Sequence, residues 1–299
     1  MSNNMISIPE TFARDTVTRE GEVGQHWLDQ LPMLIERLCD QWHLTIDGTP
    51  MHGYLGLVLP MRKDNEPCVL KVSWLDPSNQ EEALALTEWN GQGAVRLLEC
   101  DLKQGALLLE RLEQRQLNDL PIDEALRVAG RLLRQLAIVP NEKFRSQSAL
   151  AQEMLRNMPA RWQQVGRPFA QQLLDYACEL VNRHAQPRHN LLVNYDIHYE
   201  NVLAGNRAPW LAIDPKVLVG DPEFGIAQLL MNRLEEIESQ GGLERHFQIL
   251  VEAAELDVDL ARAWTFVRTL DYWLWGLGVG LTEDPKRCAQ MIEWLNSEN

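Results

Sequence analysis

One β-rich island inside an otherwise helical half is the strongest constraint on how this chain folds. Residues 190–225 read "NLLVNYDIHYENVLAGNRAPWLAIDPKVLVGDPEFG", short runs of Leu, Val and Ile separated by a Gly-Asn-Arg turn. Helical periodicity surrounds it, over 122–138, 148–158 and 168–184 on one side and 223–239 and 258–281 on the other. The island is also where the polar residues converge.

The first part of the chain has a different texture. Trp27, Leu31, Leu34, Leu38 and Trp42 recur at helical spacing over 22–42. Strand-like runs follow, "LTIDGTPMHGYLGLVLP" and "PCVLKVSWL", which read as an antiparallel hairpin around the charged turn "RKDNE". A helix over 79–90 and two more strand-like runs, joined by a turn around Lys103–Gly105, complete this part. With 299 residues, two lobes are expected: a mixed small one and a helical large one. The expected segments are 1–44, a helical piece packed on the small lobe, then 45–112 and 113–299.

Charge narrows the partners. Lys and Arg number 28 against 43 Asp and Glu, a formal charge of −15 whose net field repels nucleic acid and anionic membrane. A cationic small molecule is the better electrostatic match, although excess acid also serves plain solubility. Five widely spaced cysteines without a C-x-x-C pair indicate neither a disulfide framework nor a zinc site, which fits a reducing cytoplasm. The opening "MSNNMISIPETFARD" lacks the basic start and apolar core of a secretory signal. The most membrane-like segment, 263–281, contains Arg268 and Asp271, both costly at bilayer depth. The expected state is a monomer or a weak dimer.

Within the island, the runs at 201–204 and 209–213 form an expected hairpin with "GNRA" at its tip, which makes Asn201 and Asp214 neighbours at the open end. Mg²⁺ takes oxygen ligands from one or two carboxylates plus an amide, leaving the rest of its shell to phosphate and water. Asn201 and Asp214 match that half-shell. Asp196 lies one short loop away, in the position of a general base for a hydroxyl. This D-x-x-x-x-N and second Asp suit phosphoryl transfer from ATP, where catalysis is mostly positioning and charge neutralisation. Singly, each acid also fits a turn or cap.

An ATP kinase needs a cation on a central strand, and Lys71 in "CVLKVSW" fits, though an edge strand carrying a solvated lysine explains the same pattern. Glu82 in the following helix is the expected partner, with Glu81 as its rival. Gly48, Gly53 and Gly56 stand where a phosphate-covering loop would lie, without a regular G-x-G-x-x-G spacing. A Walker-type G-x-x-x-x-G-K-[ST] is absent.

On the motifs "CVLKVSW", "EWNGQGAVRLLECD", "GALLLERL", "NYDIHYENVL", "WLAIDPKVLVGDPEFG" and "ARAWTFVRTLDYWLWGL", the chain resembles the aminoglycoside phosphotransferase family, in its streptomycin 6-kinase and hydroxyurea phosphotransferase branch. The resemblance implies an α+β, two-lobed protein-kinase-like fold with an antiparallel-sheet N-lobe and a mainly helical C-lobe. It implies an ATP- and Mg²⁺-dependent kinase for a small-molecule hydroxyl. Asp196 is then similar to the catalytic aspartate, Asn201 and Asp214 to the magnesium pair, and Lys71 with Glu82 to the phosphate-holding ion pair. Backbone around Glu110 and Leu112 would meet adenine, Gly53 would lie over the phosphates, and Asp221 would be a structural acid joining the catalytic loop to the next helix. Asp271 and Glu223 are candidates for lining the acceptor site.

One departure stands out. The family's His-Gly before the catalytic aspartate is here Asn194-Tyr195, a bulky ring in place of a flexible glycine. His198 reads as a loop anchor rather than a base. Another metabolite or hydroxyurea as acceptor, and a silent kinase-like binding protein, are the competing readings.

Overall fold

A computed structural model describes the backbone of residues 6–296 and the side chains of all of these but 77–80. Residues 1–5 and 297–299, the ends of the expected segments 1–44 and 113–299 and part of the start read for targeting, lie outside the described residues. The chain divides into two compact units. The smaller runs to Gly91 and again from Val95 to Leu112; the larger takes Gln92–Ala94 and everything from Glu113 onward.

The small unit begins with α1 (Glu10–Trp42), in which Gly21 adopts φ 64° and ψ −140° and breaks the helix. Such a conformation is open to glycine and strained for other residues. The expected helix from 22 is therefore the second part of α1, and the part before the break was not foreseen. Strands β1 (Leu44–Ile46), β2 (Met51–His52), β3 (Gly56–Lys63) and β4 (Glu66–Ser73) follow, then α2 (Pro77–Trp89), β5 (Leu97–Asp101) and β6 (Ala106–Glu110). They form one antiparallel sheet in the order β1-β3-β4-β6-β5, with β2 on β3. Alternate residues Leu57, Leu59 and Met61 of β3 and Cys68, Leu70 and Val72 of β4 are buried, as the period of a strand requires. They pack with Leu31, Ile35 and Leu38 of α1 in one core.

In the large unit α3 (Ile122–Leu136), α4 (Gln147–Gln164) and α5 (Gln171–His184) precede the island, which holds β7 (Leu191–Asn194), β8 (Val202–Leu203), β9 (Leu211–Ala212) and β10 (Val217–Gly220). β8 pairs with β9, and β10 returns antiparallel to β7 with Val217 opposite Asn194. The helix expected over 223–239 is replaced by α6 (Ala227–Met231) between short 3-10 turns. Asn232 is extended and Arg233 left-handed at φ 68°, which ends α6, and the Ser239 side chain accepts from the Gly242 N–H to cap α7 (Gln240–Ala254). The unit ends with α8 (Val258–Gly278) and α9 (Glu283–Asn296). Its core joins Met154, Met158, Leu174, Val181, Trp264 and Leu270 to Val193, Leu218 and Phe224, so the island rests directly on helices. No helix among the described residues is long and apolar enough to cross a membrane.

Candidate active site

In the β8–β9 hairpin Val202 lies opposite Ala212 and Leu203 opposite Leu211. Beyond the last paired residues the Ile213 N–H donates to the Asn201 carbonyl at 2.9 Å, which brings Asn201 beside the residue preceding Asp214. Asp214 is exposed and has φ 48°, an uncommon left-handed conformation that Asp tolerates better than most residues. Asn201 is held by its own N–H, which donates to the His198 carbonyl at 3.0 Å. Tyr199 anchors the same 3-10 turn: its ring is 1% exposed, its hydroxyl donates to the Leu229 carbonyl, and the Arg233 guanidinium lies 5.2 Å from the ring centroid. The His198 ring, by contrast, forms no hydrogen bond among the described residues, so this residue anchors through its carbonyl. Burial pushes the pKa of the imidazole down.

Among the described residues no three His, Cys, Asp or Glu side chains form a metal-holding group. Asn201 and Asp214 offer an amide and a carboxylate oxygen and nothing softer. That sparse all-oxygen set suits Mg²⁺, which keeps several waters and phosphate oxygens, and does not suit zinc.

Asp196 follows β7 in a loop that is tied on several sides. The buried Asn194 side chain accepts from the Asp196 N–H at 3.2 Å, and the Tyr195 N–H donates to the Lys216 carbonyl at 2.9 Å, extending the β7–β10 pairing by one residue. Tyr195 is not among the residues of positive φ, so this position does not need a glycine. Its ring meets Phe224 edge-on, with centroids 6.0 Å apart. Arg268 of α8 covers both rings, at 5.1 Å from Tyr195 and 4.7 Å from Phe224, and donates to the Tyr195 carbonyl at 3.1 Å. The bulky side chain thus becomes a wedge that fastens the loop to α8.

Lys216, two residues past Asp214, places its ammonium 3.0 Å from Asp196 Oδ2. Partial burial of Lys216 works against its charge, but the neighbouring carboxylate outweighs this and its pKa lies above the ordinary lysine value. Sequence reasoning assigned no role to Lys216 or to Arg268 at this loop. The β7–β10 register is the signal that would have found the first, since it sets residue 216 against residue 195.

The small unit holds the other candidates. β4 lies between β3 and β6, so Lys71 is on a central strand, opposite Val58 and Leu107. Its ammonium donates to both carboxylate oxygens of Glu82 at 2.8 Å, and Glu82 is 2% exposed. Glu82, not Glu81, is therefore the partner. At the β2–β3 turn the Gly53 N–H donates to the Gly56 carbonyl at 2.9 Å. A Cβ on Gly56 would come within 2.5 Å of Ser73 Oγ, whereas one on Gly53 would meet nothing. Packing explains Gly56 and leaves Gly53 facing open space. Glu110 closes β6 with its carboxylate on the Arg96 N–H at 2.8 Å, and the Leu112 backbone forms no hydrogen bond among the described residues.

Three further acids have clear positions. Asp221, 1% exposed, accepts from the Arg188 and His189 N–H groups at 2.8 Å, and its own N–H donates to Gln147 of α4. It ties the approach to β7 rather than the Asp196 loop itself. Glu223 is 5% exposed and accepts from the Asp257 N–H at the start of α8, so it secures a helix end instead of lining an acceptor surface. Burial pushes its carboxyl pKa up. Asp271 pairs with Arg161 at 3.2 Å and retains partial exposure, and burial raises its pKa against the pull of Arg161 and Arg268.

The arrangement of strands and helices is that of protein-kinase-like phosphotransferases. A crystal structure of aminoglycoside phosphotransferase APH(4)-Ia matches with a TM-score of 0.63 at 16% identity, over 87% of this chain and 98% of that one. Choline kinase LicA from Streptococcus pneumoniae matches with a TM-score of 0.63 at 13% identity, over 90% and 99%. In sequence, residues 41–280 match the aminoglycoside/hydroxyurea antibiotic resistance kinase family, and the chain belongs to it. It is a phosphotransferase. A streptomycin 6-kinase from Streptomyces glaucescens is 36% identical over 93% of this chain and 94% of its own length. A hydroxyurea phosphotransferase from Kitasatospora aureofaciens is 35% identical over 97% of this chain and 86% of its own.

Proposed function

We propose that the protein transfers the γ-phosphoryl group of ATP to a hydroxyl of a cationic, streptomycin-like aminoglycoside. The observation that supports the reading is the backbone hydrogen bond of 2.9 Å from Ile213 to Asn201, which sets Asn201 beside the residue preceding Asp214, on the segment that also carries Asp196. The streptomycin 6-kinase relative and the charge of −15 favour the acceptor class.

In this reading Asp196 orients the acceptor hydroxyl and takes its proton as the oxygen bonds to the γ-phosphorus. The bond from that phosphorus to the β–γ bridging oxygen breaks, and ADP leaves with the electron pair. Asn201 and Asp214 would hold Mg²⁺, which when bound would supply charge neutralisation on the phosphates. In the small unit Lys71, oriented by Glu82, meets phosphate oxygens, Gly53 leaves the β2–β3 turn open to them, and backbone near Glu110 and Leu112 meets adenine. The silent-protein reading drew its support from Asn194 and Tyr195, and both are accommodated without strain in the loop. Hydroxyurea is the second acceptor reading, favoured by the relative that carries that activity in its name.

The test is incubation with Mg²⁺, ATP and either streptomycin or hydroxyurea, followed by mass spectrometry. A single added phosphoryl group on streptomycin, lost when EDTA removes the metal, is expected. Product on hydroxyurea alone would reassign the acceptor, and product on neither would overturn the reading.

A further inference from the structure

Among the described residues, Lys216 is a charged side chain in direct contact with the proposed base, and the reaction above leaves it without a task. We propose that Lys216 guards Asp196 against the acceptor's own cations: its ammonium occupies the carboxylate edge that an acceptor guanidinium or ammonium would otherwise pair with, so that a hydroxyl is what reaches the base. This rests on the phosphotransfer reading and deepens it by giving the site a rule for polycationic substrates.

The problem the lysine solves is electrostatic. An acidic protein gathers cations, and the ammonium of Lys216 already lies 3.0 Å from Asp196. Charge-assisted hydrogen bonds are roughly twice as strong as neutral ones, so a guanidinium would outcompete a hydroxyl for an uncovered Asp196. An acceptor so captured would occupy the site with the wrong group at the base. A resident ammonium repels that group while leaving the carboxylate's remaining lone pairs to accept from a hydroxyl.

Geometry holds the guard in place. Val217 pairs with Asn194, and the Lys216 carbonyl receives the Tyr195 N–H at 2.9 Å, so the backbone of 216 is fixed beside the Asp196 loop. Among the described residues, Arg268 of α8 also faces this loop, and its guanidinium is engaged with the Tyr195 carbonyl rather than with Asp196. The Lys216 side chain is 47% exposed, so the pair is open to solvent.

Lys216→Met separates this role from simple orientation of the base. Captured acceptor is a dead-end complex that lowers kcat and KM by a common factor. With streptomycin, the variant is expected to lose about tenfold in both constants, with kcat/KM unchanged within about twofold. Methylguanidinium is expected to become a competitive inhibitor of the variant at concentrations that leave the wild type untouched. Lys216→Arg, which restores a cation, is expected to reverse both effects, with the melting temperature monitored throughout. A fall in kcat/KM at constant KM, or indifference to methylguanidinium, would overturn the guard. A wild-type enzyme inactive on streptomycin would overturn the acceptor reading and this inference together, and is distinguished by the wild-type assay alone.

Discussion

Two lysine–carboxylate pairs, one in each unit, use the same chemistry in different surroundings. Lys71 and Glu82 meet at 2.8 Å with side chains 12% and 3% exposed, whereas Lys216 and Asp196 meet at 3.0 Å with 47% and 21% exposed. In the first, each charge has lost most of its water, so removing one partner leaves the other with a desolvation cost that the pair no longer offsets. The second remains in contact with solvent, and solvent screening leaves such a pair little net strength. Buried pairing gives a fixed fixture; half-open pairing leaves part of the carboxylate accessible to a further donor, as a base needs.

The sharpest way to break this contrast is at the base. Asp196→Asn should lower turnover by about 10²–10⁴-fold, the usual contribution of a general base, while ATP still raises the melting temperature. Unchanged turnover would move the base elsewhere. Next is Glu82→Ala, which should destabilise the protein by about 3–5 kcal/mol in urea unfolding; a loss below about 1 kcal/mol would erase the distinction between the pairs. Arg268→Met removes a charged hydrogen bond and its stacking and should cost about 1–2 kcal/mol. Its signature is a fall in kcat larger than any change in the ATP-induced melting shift, because the loop it fastens carries Asp196.

The smallest effect concerns Glu223. Its pKa is raised in the folded protein, chiefly by burial, so its stabilising contribution is complete below the unfolded carboxyl pKa and is lost as pH rises through the folded value. Glu223→Gln should therefore match the wild type in acid and melt higher at pH 8, by a margin on the order of 1 kcal/mol. Equal melting temperatures at both pH values would show that the carboxylate is adequately solvated after all.

The sheet strands and the hairpin were legible in the sequence because alternation and turn chemistry are local properties. The choice of Glu82 over Glu81 was not, since it depends on which face α2 presents to β4. Lys216 looks like an ordinary surface charge until β10 returns to β7, and Arg268 looks like a misplaced charge in an apolar helix until Tyr195 and Phe224 are beneath it. The break after α6 was hidden as well: "MNRLEEIES" has helical composition, yet Arg233 turns left-handed and its guanidinium donates to the Leu120 carbonyl. Tertiary contacts decided each of these places.

The packing of α1 bears on how the chain is made. Leu31, Ile35 and Leu38 share a core with residues as late as Leu108. During synthesis this helix leaves the ribosome well before the strands that cover it, so its apolar face stays exposed until the last strand of the sheet emerges. At about 5–20 residues per second, that wait lasts several seconds, a window in which a chaperone has something to hold.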